Sequence, residues 1–165
     1  MTMVGQPLAE PLTVYLSNRQ RTFRIRSQFL ISTAETILCH AGQTTGELSV
    51  LLINDRAMRV LNAQYRGKDR PTDVLSFPQS SPQGCAEQLI GDVVISLQTA
   101  TRQAQERQST LHGEIVRLLV HGILHLLGYD HEHSPQELQL MEDKERMIIR
   151  CLIAEGITVS GPKSW

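Results

Sequence analysis

The feature that most restricts how this chain can fold is the segment His121-Gly-Ile-Leu-His125-Leu-Leu-Gly128-Tyr-Asp-His131. It overlaps the most apolar stretch of the chain, Leu118 to Tyr129, and the end of a helix expected from about Thr110 to Leu127. Residues four apart on a helix project from one face, one turn above the other, so His121 and His125 form a pair. Gly128 supplies the left-handed backbone at which a helix can stop and reverse, and a reversal there can swing His131 back beside that pair. Any fold hosting this segment must therefore bury one side of the helix and leave its histidine side open. Three converging imidazoles with no fourth protein ligand describe a zinc site of the catalytic kind, with one open position. Three of the six histidines in 165 residues fall at these offsets, which chance explains poorly. The competing readings are a closed structural site completed by Asp130 or His133, and a histidine group that holds no metal.

The spacing H-x-x-x-H-x-x-G-x-x-H is also that of the metzincin proteases. Those enzymes need a glutamate directly after the first histidine, as the general base acting on zinc-bound water. Here that position is Gly122, which can neither take up nor deliver a proton. The metal site survives this difference, but its chemistry must be another.

The rest of the chain is ordinary for a globular protein, with 41% apolar and 20% charged residues. Its length predicts one domain over residues 1–165, with ragged ends at 1–10 and 157–165. Only seven residues are aromatic, so the core must be built from Leu, Ile and Val. A net charge of −1 excludes a wholly basic binder, yet the charges are unevenly spread. Residues 1–70 carry nine basic and five acidic groups, and residues 71–165 carry seven and twelve. The basic excess lies in Arg19, Arg21, Arg24 and Arg26, and in Arg56, Arg59, Arg66, Lys68 and Arg70. Such a bipolar surface could draw a polyanion to one side, or could simply be two solvated faces. Cys39, Cys85 and Cys151 are odd in number and widely spaced, as in a reducing compartment. Neither a signal peptide nor a membrane span is recognisable, so a cytoplasmic protein with no membrane partner is expected.

Periodicity and punctuation place the elements. A short strand is expected at Leu12–Leu16, then a helix from about Arg26 to Ala41 ended by Gly42. Leu48–Ile53 reads as a strand buried on both faces. Asn54 and Asp55 cap a helix carrying Met58, Leu61 and Tyr65 on one stripe and ended by Gly67. A strand at Asp73–Phe77 follows, and the strand–helix–strand order predicts that it runs parallel to 48–53. After a loop at Pro78–Gln88 comes an antiparallel strand at Gly91–Ile95. Three helices finish the chain, the last opened by the capping box Ser134-Pro135-Gln136-Glu137. The expected product is an α+β (mixed α/β) domain with about four strands in a mixed sheet and about five helices.

Three motifs, HGILHLLGYDH, YRGKDRPTDVLSFP at Tyr65–Pro78 and GDVVIS at Gly91–Ser96, occur in this order and closely resemble the YbeY family of bacterial endoribonucleases. The resemblance covers roughly residues 48–155. It implies a zincin-like fold, one zinc ion held by His121, His125 and His131, and a role for Arg66 in activity. It also implies single-stranded ribosomal RNA as substrate, maturation of the 16S rRNA 3′ end, ribosome quality control, and the ribosome or its small subunit as partner. The residues after the third histidine are usually strongly acidic in that family, whereas here they read Glu132-His133-Ser134-Pro135-Gln136. The first 45 residues carry no part of the resemblance.

The residue chemistry agrees with that implication. Phosphodiester hydrolysis gathers negative charge on non-bridging oxygens, which a zinc ion and a guanidinium both stabilise. The planar fork of Arg66 can grip a phosphate at two points, and Lys68 and Arg70 extend the same basic loop as an RNA track. Asp130 is the nearest carboxylate to the ligands. It could act as the base, orient a ligand histidine, or cap a turn. Glu114 could reach a ligand or pair with an arginine, Leu138 and Met141 fit a core stripe with Ile148, and Phe77 suits the core better than a stacking platform. With aromatics scarce, RNA affinity is expected to be mainly electrostatic. The rival functions are a zinc peptidase or amidase with an unusual base, and a non-catalytic ribosome-assembly factor with a structural zinc.

Overall fold

The computed structural model describes residues 10–81 and 88–160. Four strands, β1 (Thr13–Asn18), β2 (Glu47–Ile53), β3 (Val74–Pro78) and β4 (Leu89–Ser96), form one sheet in the order β1-β2-β4-β3. Five helices surround it: α1 (Ser27–His40), α2 (Asp55–Arg66), α3 (Leu97–Glu106), α4 (Leu111–Leu126) and α5 (Pro135–Ala154). The α+β architecture is the one expected. The helix starts are set locally, by side chains that accept otherwise unpaired N–H groups. Asn54 accepts from the Ala57 amide, Thr110 from Gly113 and Ser134 from Glu137. Each such cap contributes about 1 kcal/mol.

β1, β2 and β4 run parallel, and only β3, at the edge, runs antiparallel to its neighbour β4. Parallel pairing of the 48–53 and 73–77 strands, expected from their order, therefore does not occur; β4 lies between them. The cause is the loop after α2. Gly67 ends that helix in the left-handed region, with φ 67°. The loop then doubles back along α2, where the buried Asn62 donates to the Arg70 carbonyl at 2.7 Å and Arg59 grips Asp69 through two bonds of 2.7 and 2.8 Å. The chain is returned to the sheet end it had left, so β3 must enter in the opposite direction.

The larger core lies on one face, where α4 is packed against β3, β4 and helices α1, α3 and α5. It is aliphatic, with Leu38, Leu48, Leu52, Ile95, Leu119 and Ile123 fully buried. Each contributes about 1.5–3 kcal/mol of transfer free energy. A smaller cluster of Ile53, Met58, Leu75 and Val94 lies under α2 on the other face. β2 is thus covered on both faces only near its C-terminal end, since Ser49 and Leu51 remain half-buried. On α5, Met141 and Ile148 join the core as expected, whereas Leu138 points to solvent. Tyr65, at the end of the stripe of Met58 and Leu61, is likewise exposed, at 59%. Ile157 to Ser160 are not ragged: the buried Ser160 donates its amide to the Gly113 carbonyl, so the chain is tied back onto α4. Most of the 78–88 loop, Cys85 and both chain ends at 1–9 and 161–165 lie outside the described residues. Cys39 and Cys151 are free thiols.

Gly122 marks the closest approach of α4 to the sheet. A Cβ there would lie 2.9 Å from Val93 Cγ1, 3.2 Å from Ser76 Oγ and 3.3 Å from Val74 Cγ2. The Ser76 hydroxyl donates to the Gly122 carbonyl at 2.9 Å, which fastens the middle of α4 to β3. Gly122→Ala is expected to cost about 1–3 kcal/mol through overpacking, read as a lowered urea midpoint at unchanged slope.

Candidate metal centre and cleft

β3 is pleated, so its side chains alternate between the two faces. Val74 and Ser76 meet α4, while Leu75 and Phe77 join the cluster under α2. Along the outer edge of β3 runs a cleft of about 650 Å³, walled by Tyr65 and Arg66 from α2, residues 72–78, and His121, His125 and Gly128–His131 from α4 and its following turn. The predicted histidines are brought together here. Gly128 adopts φ 93° and reverses the chain, and the ring centroids of His131 and His125 come to 5.0 Å. One nitrogen from each of the three histidines lies within 4.8 Å of the others.

The donor set suits a metal ion. The Nε2 atoms of His121 and His125 are 3.1 Å apart. A tetrahedral zinc with bonds of about 2.0–2.1 Å separates neighbouring nitrogens by about 3.3 Å. Nδ1 of His121 lies 2.5 Å from Oε1 of Glu145 on α5. A carboxylate there holds the proton on Nδ1 and leaves the Nε2 lone pair facing its partners, the arrangement that orients metal-binding histidines. Burial first, and then the neighbouring His121 and His131, lower the pKa of His125 and favour the neutral ring a metal requires. Zinc is chemically apt for three imidazoles, though the same donors also suit nickel, copper or iron.

Neither candidate fourth ligand joins the group among the described residues. The Asp130 carboxylate accepts from the Glu132 amide at 3.0 Å, and its other oxygen faces Nδ1 of His133 at 3.3 Å. Hydrogen bonding to that amide is the main reason its pKa is lowered. Of its three possible roles, Asp130 fills the turn-capping one here. Glu114, nearly two turns before His121 on the same face of α4, is fully buried and paired with Arg117 at 2.6 Å.

Arg66 ends α2 on the cleft wall, where its guanidinium approaches Glu132 at 3.5 Å. Both side chains are about half exposed, so the pair is weak and an anion can compete for the arginine. Lys68 and Arg70 are exposed on the adjoining loop but do not line the cleft. Arg19, Arg21, Arg24 and Arg26 are exposed in the turn after β1, also outside its walls. Sequence reasoning missed Glu145. Its position was readable, because Met141, Glu145, Ile148 and Leu152 share one helical stripe on which a lone carboxylate is out of place. It missed the cleft's aromatic wall as well: Tyr65, Phe77 and Tyr129 all contribute to it.

Glu145→Gln is expected to weaken metal binding about 10- to 100-fold, as loss of a carboxylate behind a ligand histidine does. Competition with a chelating dye measures this, and unchanged affinity would remove Glu145 from the site.

Comparison with known proteins places this architecture. The family model described as Endoribonuclease YbeY matches residues 15–152, and so takes in most of β1 and all of α1 as well as the three motifs. An Endoribonuclease YbeY of Anaeromyxobacter sp. (strain Fw109-5) is 43% identical over 92% of this chain and 79% of its own. That of Geobacter metallireducens is 42% identical over 88% of this chain and 99% of its own. A chloroplastic relative from Arabidopsis thaliana is 48% identical over 70% of this chain, matching 20% of its own length. The fold is similar to the solution structure of a Thermotoga maritima protein, with TM-score 0.55 and 24% identity over 90% of this chain and 97% of that one. On the extent of these matches, the chain belongs to the YbeY endoribonuclease family.

Proposed function

We propose that this protein is a zinc-dependent endoribonuclease that cuts single-stranded RNA during ribosomal RNA maturation, at the 16S rRNA 3′ end, in the cytoplasm and on the ribosome or its small subunit. The observation that carries the reading is the convergence of three imidazole nitrogens within 4.8 Å of one another, in a cleft that also holds a weakly engaged arginine. Among the described residues no helix is long and apolar enough to cross a membrane.

His121, His125 and His131 would hold the ion. Bound there, zinc supplies Lewis-acid stabilisation of a phosphate oxygen and an acidified water ligand. Arg66 takes hold of the scissile phosphate or its neighbour and offsets the charge that grows on the non-bridging oxygens, exchanging its loose contact with Glu132 for a charge-assisted bond. Glu145 keeps His121 in the tautomer that donates Nε2. Lys68 and Arg70 attract the strand from outside the cleft rather than grip it inside. A peptidase is disfavoured because the place of its glutamate is filled: any side chain at position 122 would collide with β3 and β4.

Zinc-loaded protein is expected to cleave an end-labelled single-stranded RNA. His125→Ala should lose both metal and cleavage, and Arg66→Ala should keep metal but lose about 10²–10³ in rate, as removal of a preorganised charge-stabilising group does. Equal cleavage by all three proteins would expose a contaminant and favour the assembly-factor reading. Added salt is expected to suppress cleavage well before it releases zinc, because counterion release governs RNA binding; salt-insensitive cleavage would remove the basic loop from the RNA path.

A further inference from the structure

Of the three rings on the cleft's aromatic wall, Phe77 and Tyr129 pack against the hydrophobic clusters and Tyr65 does not. The apolar stripe of α2 runs from Met58, which is fully buried, through the half-buried Leu61 to Tyr65, which is 59% exposed beyond the end of the smaller core. Tyr65 is nonetheless held in place: its ring meets Phe77 of β3 edge-on, with centroids 5.0 Å apart and planes 65° from parallel. Phe77 is anchored from behind by the cluster of Ile53, Met58, Leu75 and Val94. Both rings wall the same cleft as the histidines, and Arg66 is the next residue along. In a chain with only three tyrosines and three phenylalanines, this places a braced and open aromatic surface beside Arg66, the one arginine or lysine among the described residues of the cleft wall.

We propose that Tyr65, braced by Phe77, is a nucleobase subsite, and that it sets the preference for single strands. The inference rests on the ribonuclease reading above. A base flanking the phosphate held by Arg66 stacks on the exposed ring of Tyr65, independently of its identity, because every base has a π-face. In a duplex both faces of each base are already occupied by neighbours, so a paired strand cannot present a face to Tyr65 without unstacking. Shape alone would not impose this selection. Stacking does, because it rewards only unstacked bases.

The test compares wild type with Tyr65→Leu, Tyr65→Phe and Tyr65→Trp, and with Tyr15→Leu as a control at an exposed tyrosine outside the cleft. The substrates are a single-stranded RNA, the same sequence in a duplex, and copies carrying one abasic nucleotide at each position around the cut. Tyr65→Leu should raise KM for the single strand about tenfold, with kcat, zinc content and urea midpoint retained. It should leave the duplex unaffected, so that strand discrimination falls by the same factor. Phe and Trp should restore it, and Tyr15→Leu should match wild type. At one abasic position wild type and Tyr65→Leu should become equal, since base and ring then report a single contact. A merely structural tyrosine would lower the midpoint and show no coupling to the missing base. Unchanged KM, or equal losses on single strand and duplex, would overturn the proposal while leaving the nuclease reading intact. Failure of wild type to cut any RNA would instead remove the nuclease reading. In that case binding of the same oligonucleotides to the zinc-loaded proteins decides the stacking contact on its own: a selective loss in Tyr65→Leu supports it, and none overturns it.

Discussion

The arrangement of this molecule depends on the close contact between α4 and the edge strand β3. With no side chain at Gly122, the helix can lie against Val74, Ser76 and Val93, and the Ser76 hydroxyl ties its middle carbonyl to the strand. His121, one residue earlier, and His125, one turn later, are thereby carried to the rim of β3. Interiors are close-packed and transmit displacement, so a helix held away from β3 would shift both ligands relative to the cleft wall. The glycine that removes a peptidase's base is the residue that lets this helix seat. Its chemical loss and its packing gain are one fact.

Around that seat, the site is built from elements distant in sequence. α4 brings two histidines, the reversal at Gly128 brings the third, α5 brings Glu145 to the back of His121, and α2 brings Arg66 and Tyr65 to the opposite side. The carboxylates nearby are mostly committed elsewhere. Asp73 accepts from the Val74 amide and from Gln103, Asp130 caps its turn, and Glu114 is buried against Arg117. The three imidazoles thus share the cleft with Arg66 and with the carboxylates of Asp73 and Asp130, which are already hydrogen-bonded elsewhere.

Features that depend on near neighbours were legible before the structure was known. The caps at Asn54 and Ser134, the stops at Gly67 and Gly128, and the pairing of His121 with His125 all follow from interactions within a few residues. The direction of β3 was not legible, because it depends on Asn62 and Arg59 pulling the following loop back along α2. Neither was the outward turn of Leu138 and Tyr65. A stripe of apolar residues tells which side of a helix is apolar, but not where the surface beneath it ends.

By itself the sequence determined the local geometry: a helix that presents two histidines on one face, a glycine that turns the third back, and an α+β content built from aliphatic segments. Helical periodicity and backbone stereochemistry act over four or five residues, so they can be read directly from the chain. Only the tertiary structure decided that β4 would insert between β2 and β3, that Glu145 would stand behind His121, and that Lys68 and Arg70 would remain outside the cleft while Tyr65 and Phe77 lined it. Those outcomes depend on packing between segments far apart in the chain, where the shape of the opposing surface selects among faces that the sequence leaves equivalent.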